Sequence, residues 1–331
     1  MSVAYLNLSP ARRWEAILGL VLIADLAFNA AISPYFLNPW TLSDATFNFT
    51  EKAIVALPLA LLVIAGEIDI SVAGIIAIAS VTMGLAASHG VGTPGLVGIG
   101  LGTGLAAGAI NGALVTVLRV PSIVATIGTM SLFRGSAYAI LGDRVLKDYP
   151  PSFAFFGQGY AFGAVSFELC LFVLLAALFA VILHFSIWGR CIYAIGANAI
   201  ATRWSGIRVD LYRFMLFAMT GLLSGLAAVL LTSRLGSTRP SIAQGWELEI
   251  VSMVILGGVA VTGGKGSIAG VVLAAMLLGF VNFGLGLLNV PGIVMSIVIG
   301  GLLIAVVSVP AIAQRIAEAR HSNENRPGAD R

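Results

Sequence analysis

The sequence predicts an all-α, polytopic membrane protein with about ten transmembrane helices and no water-soluble domain. Three observations carry that expectation. The first is a shortage of charge: 59% of the 331 residues are hydrophobic and 10% are charged, against about 25% charged in soluble domains, so the chain lacks the polar surface to cover itself in water. The second is that the apolar residues fall in runs long enough to span, since a helix needs about 20 of them to cross ~30 Å of hydrocarbon. The third is the 39 glycines, which inside continuously apolar segments fit close helix packing in lipid rather than disorder.

Taken in order, the expected spans lie near 16–32, 53–65, 70–88, 95–118, 122–141, 168–187, 211–232, 250–263, 268–288 and 292–309. The first follows Arg12 and Arg13, but it is long and no small-residue cleavage site comes after it, so it reads as a span and not as a removed leader. The second is short and contains Pro58, which leaves it to extend, kink or break. The fourth carries Gly100, Gly104, Gly108 and Gly112, one every four residues, which form a smooth ridge against which another backbone can pack. The longest connections are 142–167, 188–210 and 233–249, and the tail from 310 is polar. One transmembrane domain, 1–331, is therefore expected, with a short N-terminal segment 1–15 and a tail 310–331.

Charge placement tests the count. With the N-terminus cytoplasmic, the inner segments hold Arg12, Arg13, Arg119, Arg190, Arg203, Arg208, Arg213, Lys265, Arg315, Arg320, Arg326 and Arg331. The outer segments hold Lys52, Arg144, Lys147, Arg234 and Arg239. That excess of Lys and Arg inside is the positive-inside asymmetry, and it puts both termini in the cytoplasm. The net charge of +3 is scattered, with no basic stripe for nucleic acid. Cys170 and Cys191 are expected near opposite ends of one spanning helix, roughly 30 Å apart, too far to bridge.

An internal repeat is visible. Val120-Pro121-Ser122-Ile123-Val124 at the start of the fifth span returns as Val290-Pro291-Gly292-Ile293-Val294 at the start of the tenth, with Asn111 and Asn282 preceding them at similar distances. Glu67-Ile68-Asp69-Ile70 likewise echoes Glu247-Leu248-Glu249-Ile250. Elements five spans apart run oppositely through the bilayer, which is the plan of an inverted-topology repeat.

Catalytic patterns are not found in the sequence. The stretch Gly257-Gly258…Gly263-Gly264-Lys265-Gly266-Ser267 fails as a phosphate-binding loop, because Val259 and Gly266 stand where glycine and Ser/Thr are needed. It reads as a tight turn between the eighth and ninth spans. His89, His184 and His321 are isolated, with no metal-ligand spacing around them. Polar groups within apolar surroundings attract more interest. Asp25, with Asn29 one turn on, should face protein or water, since a charge at mid-span costs about 2.5–3.5 kcal/mol. Asp69 and Ser71 either cap the third span or line a path, and Asn111 and Arg134 either line a path or bond between helices. In the connection 188–210, Asn198 through Gly206 can form a short helix stopped by glycine, with Trp204 exposed; it suits docking into a partner's groove, or an interfacial turn.

These motifs together resemble the permease subunits of bacterial ABC importers for sugars, the ribose/xylose/arabinose type, over about residues 33–310. The likeness lies in Gly66-Glu67-Ile68-Asp69-Ile70-Ser71-Val72, Asn111-Gly112, Val120-Pro121-Ser122-Ile123 through Ile127-Gly128-Thr129, and Phe133-Arg134-Gly135. It continues in Tyr193-Ala194-Ile195-Gly196-Ala197-Asn198, Ser205-Gly206-Ile207, Trp246-Glu247-Leu248-Glu249 and Gly257-Gly258…Gly263-Gly264. The resemblance implies a type II (vitamin B12-importer-like) permease fold in the inner membrane. It also implies a second permease copy or paralogue, a cytoplasmic ATPase that alone binds ATP and magnesium, and a periplasmic sugar-binding protein. Asn198, Ala201, Arg203, Trp204, Ser205 and Gly206 then match the coupling helix that meets the ATPase, and Asp69, Ser71, Asn111, Arg134 and Glu247 become candidates for the solute path or helix junctions. Within the family, residues 33–52 and 233–241 look like the rhamnose permeases, with autoinducer-2 permeases next. An ion-coupled secondary transporter is the rival of another class, for which Asp25 and Asp69 are the available buried carboxylates.

Overall fold

The structure, a computed structural model, describes residues 10–292 together with 294, 295, 297, 298, 300, 301 and 304. Its helices are α1 (Pro10–Ile32), α2 (Pro39–Thr46), α3 (Thr50–Ile64), α4 (Val72–Ser88), α5 (Thr93–Thr116) and α6 (Ser122–Leu141). They continue as α7 (Phe155–Gln158), α8 (Phe167–Phe185), α9 (Ile187–Ala197), α10 (Ala199–Trp204), α11 (Val209–Leu235), α12 (Trp246–Leu256) and α13 (Ile268–Leu287). Six of these, α1, α5, α6, α8, α11 and α13, are long and apolar enough to cross a bilayer. α2 and α3 supply a seventh crossing if they act as one span bent by 49°. The expected tenth span, the N-terminal nine residues and the polar tail lie largely or wholly outside the described residues.

Several expectations need correcting. α3 continues unbroken through Pro58, one of the outcomes left open for the second span, and each of its 15 residues is buried, so it is the central helix of the bundle. α12 ends at Leu256 and is eleven residues long, which is about half of a bilayer crossing at 1.5 Å per residue. The cause lies in Gly257 and Gly258, the latter at φ +84°, a backbone state that stops a helix. α8 stops at Phe185, where Ser186 turns the chain and caps α9 through its side chain. Cys191 therefore sits on a different helix from Cys170, and both thiols are free. Connection 142–167 is not purely helical either, since it holds a two-stranded hairpin, β1 (Tyr160–Phe162) paired antiparallel with β2 (Val165–Ser166) around Gly163 at φ +54°.

The glycine ridge of α5 faces α11. An added Cβ on Gly104 would lie 2.4 Å from the Gly221 carbonyl oxygen, and one on Gly108 would lie 2.4 Å from the Phe217 carbonyl oxygen. Gly112 abuts Phe214, and Gly100 sits between Met83 of α4 and Val229 of α11. Gly221 and Gly225 answer from α11, so the two backbones touch over several turns. α1 is attached at two levels: Trp14 Nε1 donates to the Leu256 carbonyl at 2.8 Å, and the buried Asn29 donates to Asp25 and to the Phe280 carbonyl, both at 3.3 Å.

Ionic pairs tie the first turns of α3 and α12 and the last turn of α11. Arg234 holds the fully buried Glu51 at 2.7 Å, while Lys52 pairs with Glu249 at 2.5 Å and lies over the Trp246 ring. At the same end, Leu146 and Thr238 exchange backbone hydrogen bonds, and Thr238 Oγ1 shares a buried hydroxyl network with Ser80 and Tyr149. Burial pushes the Tyr149 phenol up to about 12, so it remains protonated. From Leu285 onward the chain is a separate small unit. Its described part contains the end of α13, a left-handed turn at Asn289 and the start of a further helix.

Candidate functional site

The break between α3 and α4 gathers polar residues. Gly66, at φ +84°, turns the chain out of α3. Glu67 then pairs with Arg213 of α11 at 3.0 Å. Asp69 accepts from the Ser71 amide at 2.8 Å and from its hydroxyl at 2.6 Å. Asn111 of α5 donates to Ser71 Oγ at 2.7 Å and, at 3.5 Å, to Asp69. Asp69, Ser71 and Asn111 are all 0% exposed and bond to one another where α4 meets α5. The Asn111 carbonyl oxygen is left without a donor.

Arg134 occupies a second cluster. Its guanidinium donates to the carbonyls of Pro240 at 2.8 Å, Ile242 at 2.6 Å and Ala73 at 3.0 Å. Thereby α6 is pinned both to the start of α4 and to the loop that leads into α12. Beside it opens a cavity of about 390 Å³ whose lining includes Ser131, Arg134, Tyr138, Gln244 and Glu247. The five path or junction candidates thus fall into two groups, with Ala73, two residues after Ser71, linking them through Arg134.

The connection after α9 builds the third feature. Asn198 caps α10, accepting from the Ala201 amide at 3.0 Å, and Thr202 turns its hydroxyl back to the Asn198 carbonyl. The helix ends at Ser205 and Gly206, the latter at φ +86°. Its outer face is apolar and open: Ile200 is 73% and Trp204 87% exposed. Ala201 is exposed, and Arg203 reaches Asp210 at 2.6 Å. A bare Trp side chain of this size gains by being covered, by lipid headgroups or by a partner.

What holds this short helix in place was not evident in the sequence. At the end of α9, a Cβ on Gly196 would stand 1.8 Å from the Ile64 carbonyl oxygen and 2.4 Å from the Gly264 amide nitrogen. Gly264 itself donates to the Ile64 carbonyl at 2.8 Å, and Tyr193 donates to the Gly266 carbonyl at 2.7 Å. The glycine-rich turn 257–267 therefore clamps α9 to the end of α3, directly before the Gly66 break. Gly196 and the glycine pairs 257–258 and 263–264 were the signal. Their spacing alone does not say which backbones meet.

Residues 42–307 match the family described as "Branched-chain amino acid transport system / permease component". The chain belongs to this family. It is 34% identical to the autoinducer 2 import system permease protein LsrD of Salmonella paratyphi A over 308 residues, 91% of this chain and 92% of that one. It is also 34% identical to LsrD of Escherichia coli O9:H4 over 325 residues, 95% of this chain and 98% of that one. No solved structure matches it. Family members of this kind are transport subunits, and the several apolar helices fit a multi-pass inner-membrane protein. Among the described residues no group of three or more His, Cys, Asp or Glu side chains is placed to hold a metal ion.

Proposed function

We propose that this chain is the membrane-spanning permease subunit of an ATP-driven importer that carries a monosaccharide, L-rhamnose, across the bacterial cytoplasmic membrane. The observation that carries the reading is α10: a capped six-residue helix whose Ile200 and Trp204 are bare, in a transport-permease family. Two apolar side chains four residues apart make one stripe of a helix, the form in which a helix enters a groove. The groove belongs to a cytoplasmic ATPase, which binds ATP and magnesium, and Arg203, Ser205 and Gly206 shape the contact. A second copy or paralogue of the permease completes the membrane part, and a periplasmic sugar-binding protein delivers the solute. Both termini lie in the cytoplasm, and the two halves form an inverted repeat of the type II importer plan with ten spans.

In this reading ATP-driven motion enters at α10 and passes through the Gly196–Gly264–Ile64 clamp to the Gly66 break. The α5–α11 glycine contact lets those helices move as one body. The rhamnose assignment is supported by residues 33–52 and 233–241, as described above. A second solute, autoinducer-2, is favoured by the names of the relatives. A deletion strain decides between them: the account expects loss of growth on L-rhamnose and of labelled L-rhamnose uptake, restored by this chain but not by Arg203→Glu. Normal rhamnose uptake with lost autoinducer-2 uptake would assign the second solute instead.

A further inference from the structure

The cavity beside Arg134 holds polar groups that nothing else among the described residues uses. Ser131, Tyr138, Gln244 and Glu247 line it, and none of their side chains makes a hydrogen bond or ion pair among the described residues. Ser131 is the tenth of the 20 residues of α6, about 15 Å from either end at 1.5 Å per residue. An unspent hydroxyl at that depth is expensive against lipid, and with the Tyr138, Gln244 and Glu247 side chains around the same cavity it is favourable only against water or a polar solute. The volume, about 390 Å³, falls in the range of small-molecule sites, about 300–1,000 Å³.

Charge narrows the solute. Glu247 lies close enough to Arg134 for their fields to interact, so the cavity is close to neutral. The guanidinium is already occupied by three backbone carbonyls and offers no fork to a carboxylate or phosphate. What remains is one carboxylate acceptor, one amide that both donates and accepts, and two hydroxyls. That set matches the hydroxyls of an uncharged polyol and lacks the anion partner that an amino acid needs.

We propose that this cavity is the chain's own binding site for an uncharged, polyhydroxylated solute in transit, with Ser131, Tyr138, Gln244 and Glu247 as contacts and Arg134 as the positioning residue. The site rests on the reading of the chain as a sugar-importer permease. Gly135 lines it, and an added Cβ there meets nothing within 4 Å, so a larger side chain starts from the cavity wall without a backbone clash. Gly128, two turns earlier on α6, has the same freedom and does not line it.

The experiment uses the whole importer in proteoliposomes with labelled L-rhamnose and autoinducer-2. Gly135→Leu should cut solute carried per ATP hydrolysed by about tenfold and Gly128→Leu should not, while Glu247→Gln and Gln244→Ala each cost about fivefold, the loss of one hydrogen bond. In a Cys170→Ser, Cys191→Ser background, Ser131→Cys should react with a methanethiosulfonate and be protected by the transported solute during turnover, but not by leucine. Unchanged solute per ATP in Gly135→Leu, an unprotected Ser131→Cys, or protection by leucine would overturn the site while leaving the importer reading intact. Wild-type importer that hydrolyses ATP and carries neither solute would overturn the importer reading, and the site with it.

Discussion

Adding one carbon to Gly104 tests the helix contact on which the bundle depends. The Cβ of Gly104→Ala would lie 2.4 Å from the Gly221 carbonyl oxygen and 2.7 Å from the Gly225 Cα. Both are backbone atoms, so no rotamer change relieves the clash, and α5 and α11 must separate by several tenths of an ångström along their contact. Overpacking of this kind costs about 1–3 kcal/mol. Gly102→Ala on the same helix meets nothing within 4 Å, and there alanine is worth roughly 0.5–1 kcal/mol over glycine through its lower conformational entropy. The entropy gain is common to both variants, so they should differ by the overpacking cost, about 1–3 kcal/mol, with Gly102→Ala above wild type. In detergent, a thermal melt followed by size-exclusion fluorescence should place Gly104→Ala on the order of 5 °C below Gly102→Ala. Equal melting points would refute the close backbone contact, and with it the rigid α5–α11 unit.

Further outcomes follow from the same geometry. Arg234→Met should destabilise the chain by about 3–5 kcal/mol by stranding the buried Glu51 carboxylate, and adding Glu51→Gln should recover most of that in the same melt. Gly206→Trp and Arg203→Glu should leave insertion intact while abolishing co-purification with the ATPase; normal pull-down would remove α10 as the docking element. Gly196→Ala places a methyl 1.8 Å from the Ile64 carbonyl oxygen, so ATPase binding should persist while solute carried per ATP falls at least about tenfold, as read in proteoliposomes.

Much of the fold was legible because spanning segments are defined by length and apolarity, which sequence states directly. α1, α5, α6, α8, α11 and α13 coincide closely with the expected spans. The misplacements fall where a backbone turn overrides hydropathy. Gly257–Gly258 cut the eighth segment short after α12, and Ser186 divided α8 from α9 although Ile187 and Trp188 prolong the apolar run. Within the polar sites, sequence order sufficed for Asp69 and Ser71, which are neighbours, and for the Asn198 cap of α10. It did not suffice for Gln244 and Ser131, which no local motif marks and which only the folding of the 240–245 loop onto α6 brings together. The Glu51–Arg234 pair is similar, since 183 residues separate its members.

Energy source is the point on which the account stands. Purified importer, reconstituted with its ATPase and binding protein, should accumulate labelled L-rhamnose only with hydrolysable ATP, and an ATPase-inactivating substitution in the partner should abolish accumulation with ion gradients imposed. Accumulation by this chain alone, driven by a sodium or proton gradient, would contradict the account and return Asp25 and Asp69 to consideration as ion-binding carboxylates.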